Sequence, residues 1–89
     1  MLHLLQSDLG SDELKRLCNK LTPEDSVILM NDGIYLIHQL TQILPLPCAC
    51  FAVISDCEMR GMVLAEGIEG IDMSGLLALT TQHASSASW

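Results

Sequence analysis

The segment Ser26–Tyr35, S-V-I-L-M-N-D-G-I-Y, decides the fold of this chain. Its apolar run, Val27–Met30, does not alternate with polar residues, which is typical of a strand buried on both faces of a parallel sheet. Asn31-Asp32-Gly33 supplies turn residues, and a helical pattern follows at once. The segment therefore predicts a strand, a tight turn and a helix that Asp32 caps. Because the carboxyl ends of strands are where ligands and partners meet such sheets, Asp32 is also a candidate functional residue.

The same alternation of strand and helix continues on both sides of this segment. We predict strands at residues 2–6, 27–30, 49–54 and 68–71, with helices beginning near Ser11, Asp32, Cys57 and Asp72–Ser74. The inward stripes are Leu14, Leu17, Cys18 and Leu21 on the first helix, and Ile34, Ile37, Leu40 and Ile43 or Leu44 on the second. Asp56 caps the third helix in this prediction, as Ser11 does the first. The tail, residues 83–89, shows no core pattern.

This order predicts the α/β class in a single domain spanning residues 1–89. We expect a small three-layer sandwich, in which helices cover both faces of a mostly parallel sheet of about four strands. Right-handed crossovers are satisfied by the strand order 2-1-3-4.

Composition bounds the possible partners. The chain is 49% hydrophobic but only 3% aromatic, and so high an apolar fraction on a small domain predicts surface left for a protein partner. A net charge of −7, with four Lys and Arg, argues against direct contact with nucleic acid. No apolar run approaches the roughly 20 residues that span a bilayer, and Met1–Gln6 lacks the features of a secretory signal. We therefore expect a cytoplasmic protein with reduced thiols and no membrane contact.

The four cysteines favour packing over metal binding. Cys48 and Cys50 lie in an apolar stretch, where thiols pack as small hydrophobes. A zinc site built from Cys48, Cys50, Cys57 and a histidine would lack the usual paired spacing, so no metal is predicted. Cys18 falls on the inward stripe of the first helix.

Cys57 is the thiol closest to a reactive setting. It is predicted at an exposed helix N-terminus after a strand, one turn before Arg60, and both features lower a thiol pKa. Asp56 and Glu58 flank it and act in the opposite direction. The sequence therefore does not mark Cys57 as activated.

Other catalytic patterns are missing from the sequence. It contains neither a G-x-x-x-x-G-K-[ST] loop nor a G-x-G-x-x-G after a strand, so no nucleotide cofactor is predicted. His3 lies in an otherwise apolar strand and is predicted to be structural. Asp32 and Asp56 both follow strands, and two interpretations stay open: the favoured one is that each caps a helix, and the other is that they approach each other at the carboxyl edge of the sheet.

A family resemblance runs from end to end. Met1-Leu2-His3-Leu4, the block D-S-V-I-L-M-N-D-G-I-Y from Asp25, Arg60-Gly61, Ile71-Asp72 and the ending T-Q-H-A-S-S-A-S-W from Thr81 resemble the TusB/DsrH family. The resemblance implies a DsrE/DsrF/DsrH-like fold and a subunit of a sulfur-relay complex. Its partners would be TusC/DsrF-like and TusD/DsrE-like chains, doubled into a heterohexamer.

The resemblance implies a partner role more than a catalytic one. In the Tus branch such complexes pass persulfide sulfur toward 2-thiolation of the tRNA wobble uridine, and the carrier cysteine belongs chiefly to the TusD/DsrE-type chain. The candidate interface residues are Asp32, Arg60, His83 and Trp89, of which Trp89 is an aromatic anchor typical of interface hot spots. The alternative is a sulfurtransferase that itself carries persulfide on Cys57 or Cys18, as in dissimilatory sulfur oxidation.

Overall fold

A computed structural model of the chain describes residues 1–43 and 45–89. The elements are β1 (Leu2–Leu5), α1 (Ser11–Lys20), β2 (Ser26–Leu29), a 3-10 helix (Asn31–Leu36), α2 (Ile37–Thr41), β3 (Ala49–Val53), α3 (Ile54–Met59), β4 (Glu69–Ile71), α4 (Met73–Gln82) and β5 (Ser86–Ser88). Strand and helix alternate along the chain, as its hydrophobic pattern predicts. The α/β class is confirmed.

Within the described residues the strands form one five-stranded sheet in the order β4-β3-β2-β1-β5, and every neighbouring pair is parallel. The predicted order 2-1-3-4 is wrong, because β2 and not β1 lies beside β3. Val27 of β2 pairs with His3 on one side and Cys50 on the other. The three central strands are therefore β3, β2 and β1, whose apolar runs fit burial on both faces.

Helices cover both faces of the sheet, as predicted. On one face Leu29 and Ala52 pack into a cluster with Leu14 of α1 and Leu40 of α2. On the other face Ile28 and Val53 pack with Leu76 of α4. Successive residues of a strand point to opposite faces, so each central strand contributes to both clusters. The face under α4 keeps partly buried side chains at Leu4, Met30, Phe51, Ile71 and Leu79.

The helical stripes follow the predicted spacing, but the helix starts differ. Leu14 and Leu17 are buried on α1, and Cys18 is half-buried beside them. On the second helical segment, Ile34, Ile37 and Leu40 are buried and Ile43 packs against the same cluster. The alternative inward residue, Leu44, lies outside the described residues. Gly10, and not Ser11, precedes α1 without a side-chain cap, so that predicted cap is wrong.

The tail differs most from its prediction. Ser86–Ser88 forms β5, which extends the sheet at the free edge of β1. Trp89 donates its backbone N–H to Leu4 at 2.8 Å, and its carbonyl accepts from Gln6 at 2.9 Å. The Trp89 side chain packs against the cluster on the α1 face. The expectation that the tail lacks a core contact is therefore wrong. Over the described ranges, 1–43 and 45–89, the helices are too short or too polar to cross a membrane.

Candidate functional site

The carboxyl ends of the central strands bring together the acidic residues that the sequence singled out. Asp32 follows β2, and Asp56 lies in the first turn of α3, directly after β3. Both contact Arg60, which brings the two carboxylates to one place at the sheet edge. Parallel strands end at one edge of a sheet, which is why residues distant in sequence meet here.

Arg60 joins these two strand ends. Its Nε and Nη2 atoms donate to Oδ1 of Asp32 at 3.4 and 3.2 Å. Its Nη1 donates to the backbone carbonyl of Asp56 at 3.3 Å and lies 3.9 Å from Oδ1 of the same residue. The Arg60 side chain is only 18% exposed, whereas that of Asp32 is 68% exposed. The arginine is thus held by the protein, while the Asp32 carboxylate faces solvent.

A line of hydrogen bonds continues from Asp56 across the sheet edge. Oδ2 of Asp56 accepts from the backbone N–H of Asn31 at 2.8 Å. The Asn31 side chain donates to Gln6 at 3.4 Å, and Gln6 donates to Ser88 at 3.3 Å. Asn31 has a φ of 51°, in the left-handed region that asparagine tolerates better than most residues. We call Gln6, Asn31, Asp32, Asp56 and Arg60 the edge cluster.

The helix-cap interpretation of the two acidic residues is wrong. The 3-10 helix begins at Asn31 and has no side-chain cap, so the Asp32 carboxylate binds Arg60 instead. The third helix begins at Ile54, so Asp56 is already inside it and its carboxylate binds across to Asn31. Both carboxylates therefore join separate elements of the sheet edge.

Gly33 allows the edge cluster to sit close to β1. A Cβ atom at Gly33 would overlap the backbone carbonyl of Leu5, at the end of the neighbouring strand. That carbonyl also accepts the N–H of Met30 at 3.0 Å, which fixes it in place. Only glycine fits this close backbone approach.

Cys57 does not have the exposed setting that the sequence predicted. It is the fourth residue of α3, only 4% exposed, and it packs into the core cluster under α1. Burial raises the pKa of its thiol, and the charge of Asp56 raises it further. Arg60 lowers the pKa and Glu58 raises it, but the net direction is upward. The surroundings of Cys57 therefore disfavour the thiolate form.

The other cysteines pack against the same cluster. Cys50 is buried in β3, and burial raises its pKa to about 12. Cys48, just before β3, and Cys18 on α1 are half-buried, and burial raises the pKa of each. The predicted packing role of Cys48 and Cys50 is consistent with these positions. In the part of the chain that the structure describes, no group of three or more His, Cys, Asp or Glu side chains is arranged to hold a metal ion.

A second polar group lies at the other end of the strands. Asp25, just before β2, accepts from the Met1 ammonium at 2.8 Å and from the Thr22 backbone N–H at 3.1 Å. Its Oδ2 also lies 3.4 Å from Nε2 of His3, and Trp89 donates to Nδ1 of that histidine at 3.3 Å. We call Met1, Asp25, His3 and Trp89 the histidine cluster. Sequence reasoning missed it; the one signal was a histidine in an otherwise apolar strand.

The four interface candidates therefore have different surroundings. Asp32 and Arg60 pair with each other at the carboxyl edge. His83 makes a 3.1 Å hydrogen bond with Ser26, which is buried, and Trp89 is held by His3. Of these four, Asp32 faces solvent, Arg60 is largely covered, and His83 and Trp89 hold the tail to the sheet.

Four exposed apolar side chains lie on α3 or in the segment that follows it. Met59 is 78% exposed and Val63 is 83% exposed, and Ile54 and Leu64 are exposed to a lesser extent. Ile54 and Leu64 lie side by side, because both would contact a Cβ atom at Gly70. We call these four residues the α3 surface. An apolar surface beside a charged pair resembles the apolar centre and polar rim of many protein interfaces.

Comparison with known proteins agrees with this architecture. Over the described residues the chain is a small α/β domain with a parallel sheet, and polar side chains lie at the carboxyl ends of its strands. Residues 6–86 match the family described as "DsrH like protein", and the chain belongs to that family. It is thereby a sulfur-relay-related protein. No curated protein matches the chain.

A solved structure with a similar fold is the solution NMR structure of protein Tm0979 from Thermotoga maritima. The two chains share 22% identity with a TM-score of 0.65, over 93% of this chain and 94% of that one. At this identity the likeness supports the fold alone. The TusB/DsrH resemblance of the sequence is confirmed by the family match.

Proposed function

We propose that this chain is an interaction subunit of a sulfur-relay complex of the TusBCD/DsrEFH type, and that it is not the sulfur carrier. In this proposal the complex passes persulfide sulfur toward 2-thiolation of the tRNA wobble uridine. The carrier cysteine belongs to a TusD/DsrE-like partner, and a TusC/DsrF-like chain completes a cytosolic heterohexamer. Membership of the DsrH-like family supports the sulfur-relay setting.

The observation that carries the proposal is the burial of the thiols. A persulfide carrier needs a thiolate that a donor protein can reach. Cys57 is buried, and the net effect of its surroundings raises its pKa. Cys18 is half-buried against the core, and burial raises its pKa as well. Neither candidate carrier combines access with a stabilised thiolate.

The α3 surface and the edge cluster support the partner role. Apolar side chains as exposed as Met59 and Val63 cost free energy in water and gain it when a partner covers them. Arg60 directly follows Met59 in the chain, and its ion pair with Asp32 provides directional contacts. We propose that the partner subunits dock over this region.

Co-purification with the two partner-type chains tests the docking region. Val63→Ser is expected to weaken complex formation, because it removes an exposed apolar contact without touching the core. Leu77→Ser is the matched control, since Leu77 is also exposed but lies on α4. Stronger loss with Leu77→Ser than with Val63→Ser would place the interface on α4 and contradict the docking region.

Sulfur transfer by the reconstituted complex tests the non-carrier role. We expect Cys57→Ser and Cys18→Ala to support near-normal tRNA 2-thiolation with labelled sulfur. Assembly of each variant complex is verified first by sedimentation. If Cys57→Ser assembles normally but abolishes transfer, this chain is itself the carrier.

One observation favours the alternative, in which Cys57 accepts a persulfide as in dissimilatory sulfur oxidation. Arg60 lies one turn after Cys57, and its charge lowers the pKa of the thiol. Displacement of Asp56 by a docked partner would then increase the thiolate fraction. Rapid alkylation of Cys57 in the assembled complex, but not in the free chain, would support this alternative.

A further inference from the structure

The indole of Trp89 requires a particular protonation state of His3. An indole N–H is a donor only, so Nδ1 of His3 must accept the 3.3 Å hydrogen bond. A neutral imidazole that accepts at Nδ1 carries its proton on Nε2, which faces Oδ2 of Asp25 at 3.4 Å. The two rings lie 6.2 Å apart between centroids at 36°. Neutral His3 therefore fits both neighbours at once.

Protonated His3 does not fit both neighbours. Both ring nitrogens then carry hydrogen, and the Nδ1–H group points at the indole N–H, which is also a donor. His3 is only 5% exposed, so water does not readily replace the lost acceptor. Asp25 acts in the opposite sense, because a carboxylate stabilises the imidazolium. The carboxylate favours the charged ring and the indole favours the neutral one.

The other charged groups near His3 act through Asp25. The Met1 ammonium binds Oδ1 of Asp25, and the Thr22 backbone N–H binds Oδ2. Cys48 lies within the field of Asp25, which contributes to the upward shift of its thiol pKa. His83, the second histidine near the tail, binds Ser26 and makes no hydrogen bond to His3 among the described contacts. His3 is thus the titratable group in direct contact with Trp89.

The attachment of β5 depends on Trp89. The strand has three residues and pairs along one side only, with β1. Ser86 and Ser88 are exposed, so the large apolar contact of the tail with the core is the Trp89 side chain. A short edge strand with so few contacts detaches from its neighbour at a low cost in free energy.

We propose that the Trp89–His3 hydrogen bond is a pH-sensitive latch, and that protonation of His3 releases β5 and uncovers the edge of β1. An uncovered β1 edge presents N–H and carbonyl groups that have lost their strand partners. The latch goes beyond the proposed function, since it requires only the chain itself.

Amide hydrogen exchange on the full chain tests the latch. Between about pH 7.5 and about pH 5.5, where imidazole titrates, we expect protection of the Trp89 and Gln6 amides to fall at least about tenfold beyond the intrinsic change in exchange. Protection of the Ile28 amide in β2 is expected to hold. Trp89 is the only tryptophan of the chain, so its fluorescence should change over the same range. Equal protection of β5 at both pH values would overturn the proposal.

Three variants separate the latch from a general effect of acid. His3→Gln keeps a group that accepts from the indole and donates to Asp25 but does not titrate, so the pH step should disappear. Trp89→Phe keeps an aromatic ring without an N–H, and serves if His3→Gln does not fold; it too should abolish the step. His83→Gln should leave the step unchanged. A step that survives in Trp89→Phe, or that vanishes in His83→Gln, would contradict the assignment to His3.

Discussion

The edge cluster and the histidine cluster are both built on the central strands, but they differ in burial and in charge. Asp32 of the edge cluster is 68% exposed, whereas Asp25 of the histidine cluster is 10% exposed. Arg60 joins two carboxylates in the edge cluster, whereas His3 lies between the indole donor of Trp89 and the carboxylate of Asp25. An exposed ion pair adds little to stability, whereas buried polar groups must be paired. We therefore propose that the edge cluster serves recognition, whereas the histidine cluster holds the tail to the sheet.

The largest effect is expected beneath the edge cluster, at Gly33. Gly33→Ala forces a methyl group against the Leu5 carbonyl, and overpacking of this kind costs about 3 kcal/mol. The free energy of unfolding is measured by urea denaturation. Gly10→Ala is the matched control, because a Cβ there contacts nothing within 4 Å. Equal stability of the two variants would mean that the backbone approach at Gly33 is not tight.

The next effect concerns Trp89 in the histidine cluster. Trp89→Ala removes a partly buried ring from the core cluster, and we expect a loss of about 2 kcal/mol in the free energy of unfolding. The Leu2 and Gln6 amides, which bond to the tail, should also lose protection from exchange. If the Trp89 ring made no contact with the core, no such loss would occur. Urea unfolding followed by circular dichroism distinguishes these two outcomes.

Asp25 should make the stability of the fold depend on acid pH. The hydrogen bond from the Met1 ammonium, then that from Thr22, lowers the pKa of Asp25 to about 2, below its ordinary value of 3.8. A lowered folded-state pKa stabilises the fold above the unfolded value, and that stabilisation is lost as pH falls from about 4 to about 2. Asp25→Asn should be less stable than the native chain at pH 6, with the difference shrinking toward pH 2. A constant difference would contradict this.

The smallest effect on stability is expected in the edge cluster. Asp32→Asn should change the free energy of unfolding by less than about 1 kcal/mol, the usual range for an exposed ion-pair partner, and Arg60→Gln should cost more than Asp32→Asn because the Arg60 side chain is largely covered and also binds Asp56. Both should weaken binding of the partner-type subunits more than they weaken the fold. Isothermal titration calorimetry with the partners gives the change in binding free energy. Urea unfolding gives the change in the free energy of unfolding. A larger effect on folding than on binding would reverse the roles of the two clusters.

The edge cluster was predictable in part, for a physical reason. Long apolar strands and helical stripes locate β1, β2 and β3, and parallel strands end at one edge, so the approach of Asp32 and Asp56 follows. The capping role did not follow, because the choice between a helix cap and a partner across the edge depends on the position of Arg60 in space. That position is set by packing of α3, which sequence spacing does not encode.

The histidine cluster and β5 were not predictable from local pattern. The strand Ser86–Ser88 has one apolar residue, Ala87, and serine carries little strand preference. Its conformation is set by its pairing with β1 and by the packing of the Trp89 side chain against the core. The strand order failed for a related reason: β1 and β2 are equally apolar, so their pattern does not say which lies beside β3.

The most direct test of the central claim is to find where sulfur resides in a working complex. The reconstituted heteromer is supplied with a persulfide donor, quenched by alkylation during turnover, and each chain is weighed by intact mass spectrometry. We expect an added sulfur atom on a partner subunit and none on this chain, because its thiols are covered and their pKa values are raised. A stoichiometric persulfide on Cys57 or Cys18 of this chain would contradict the account.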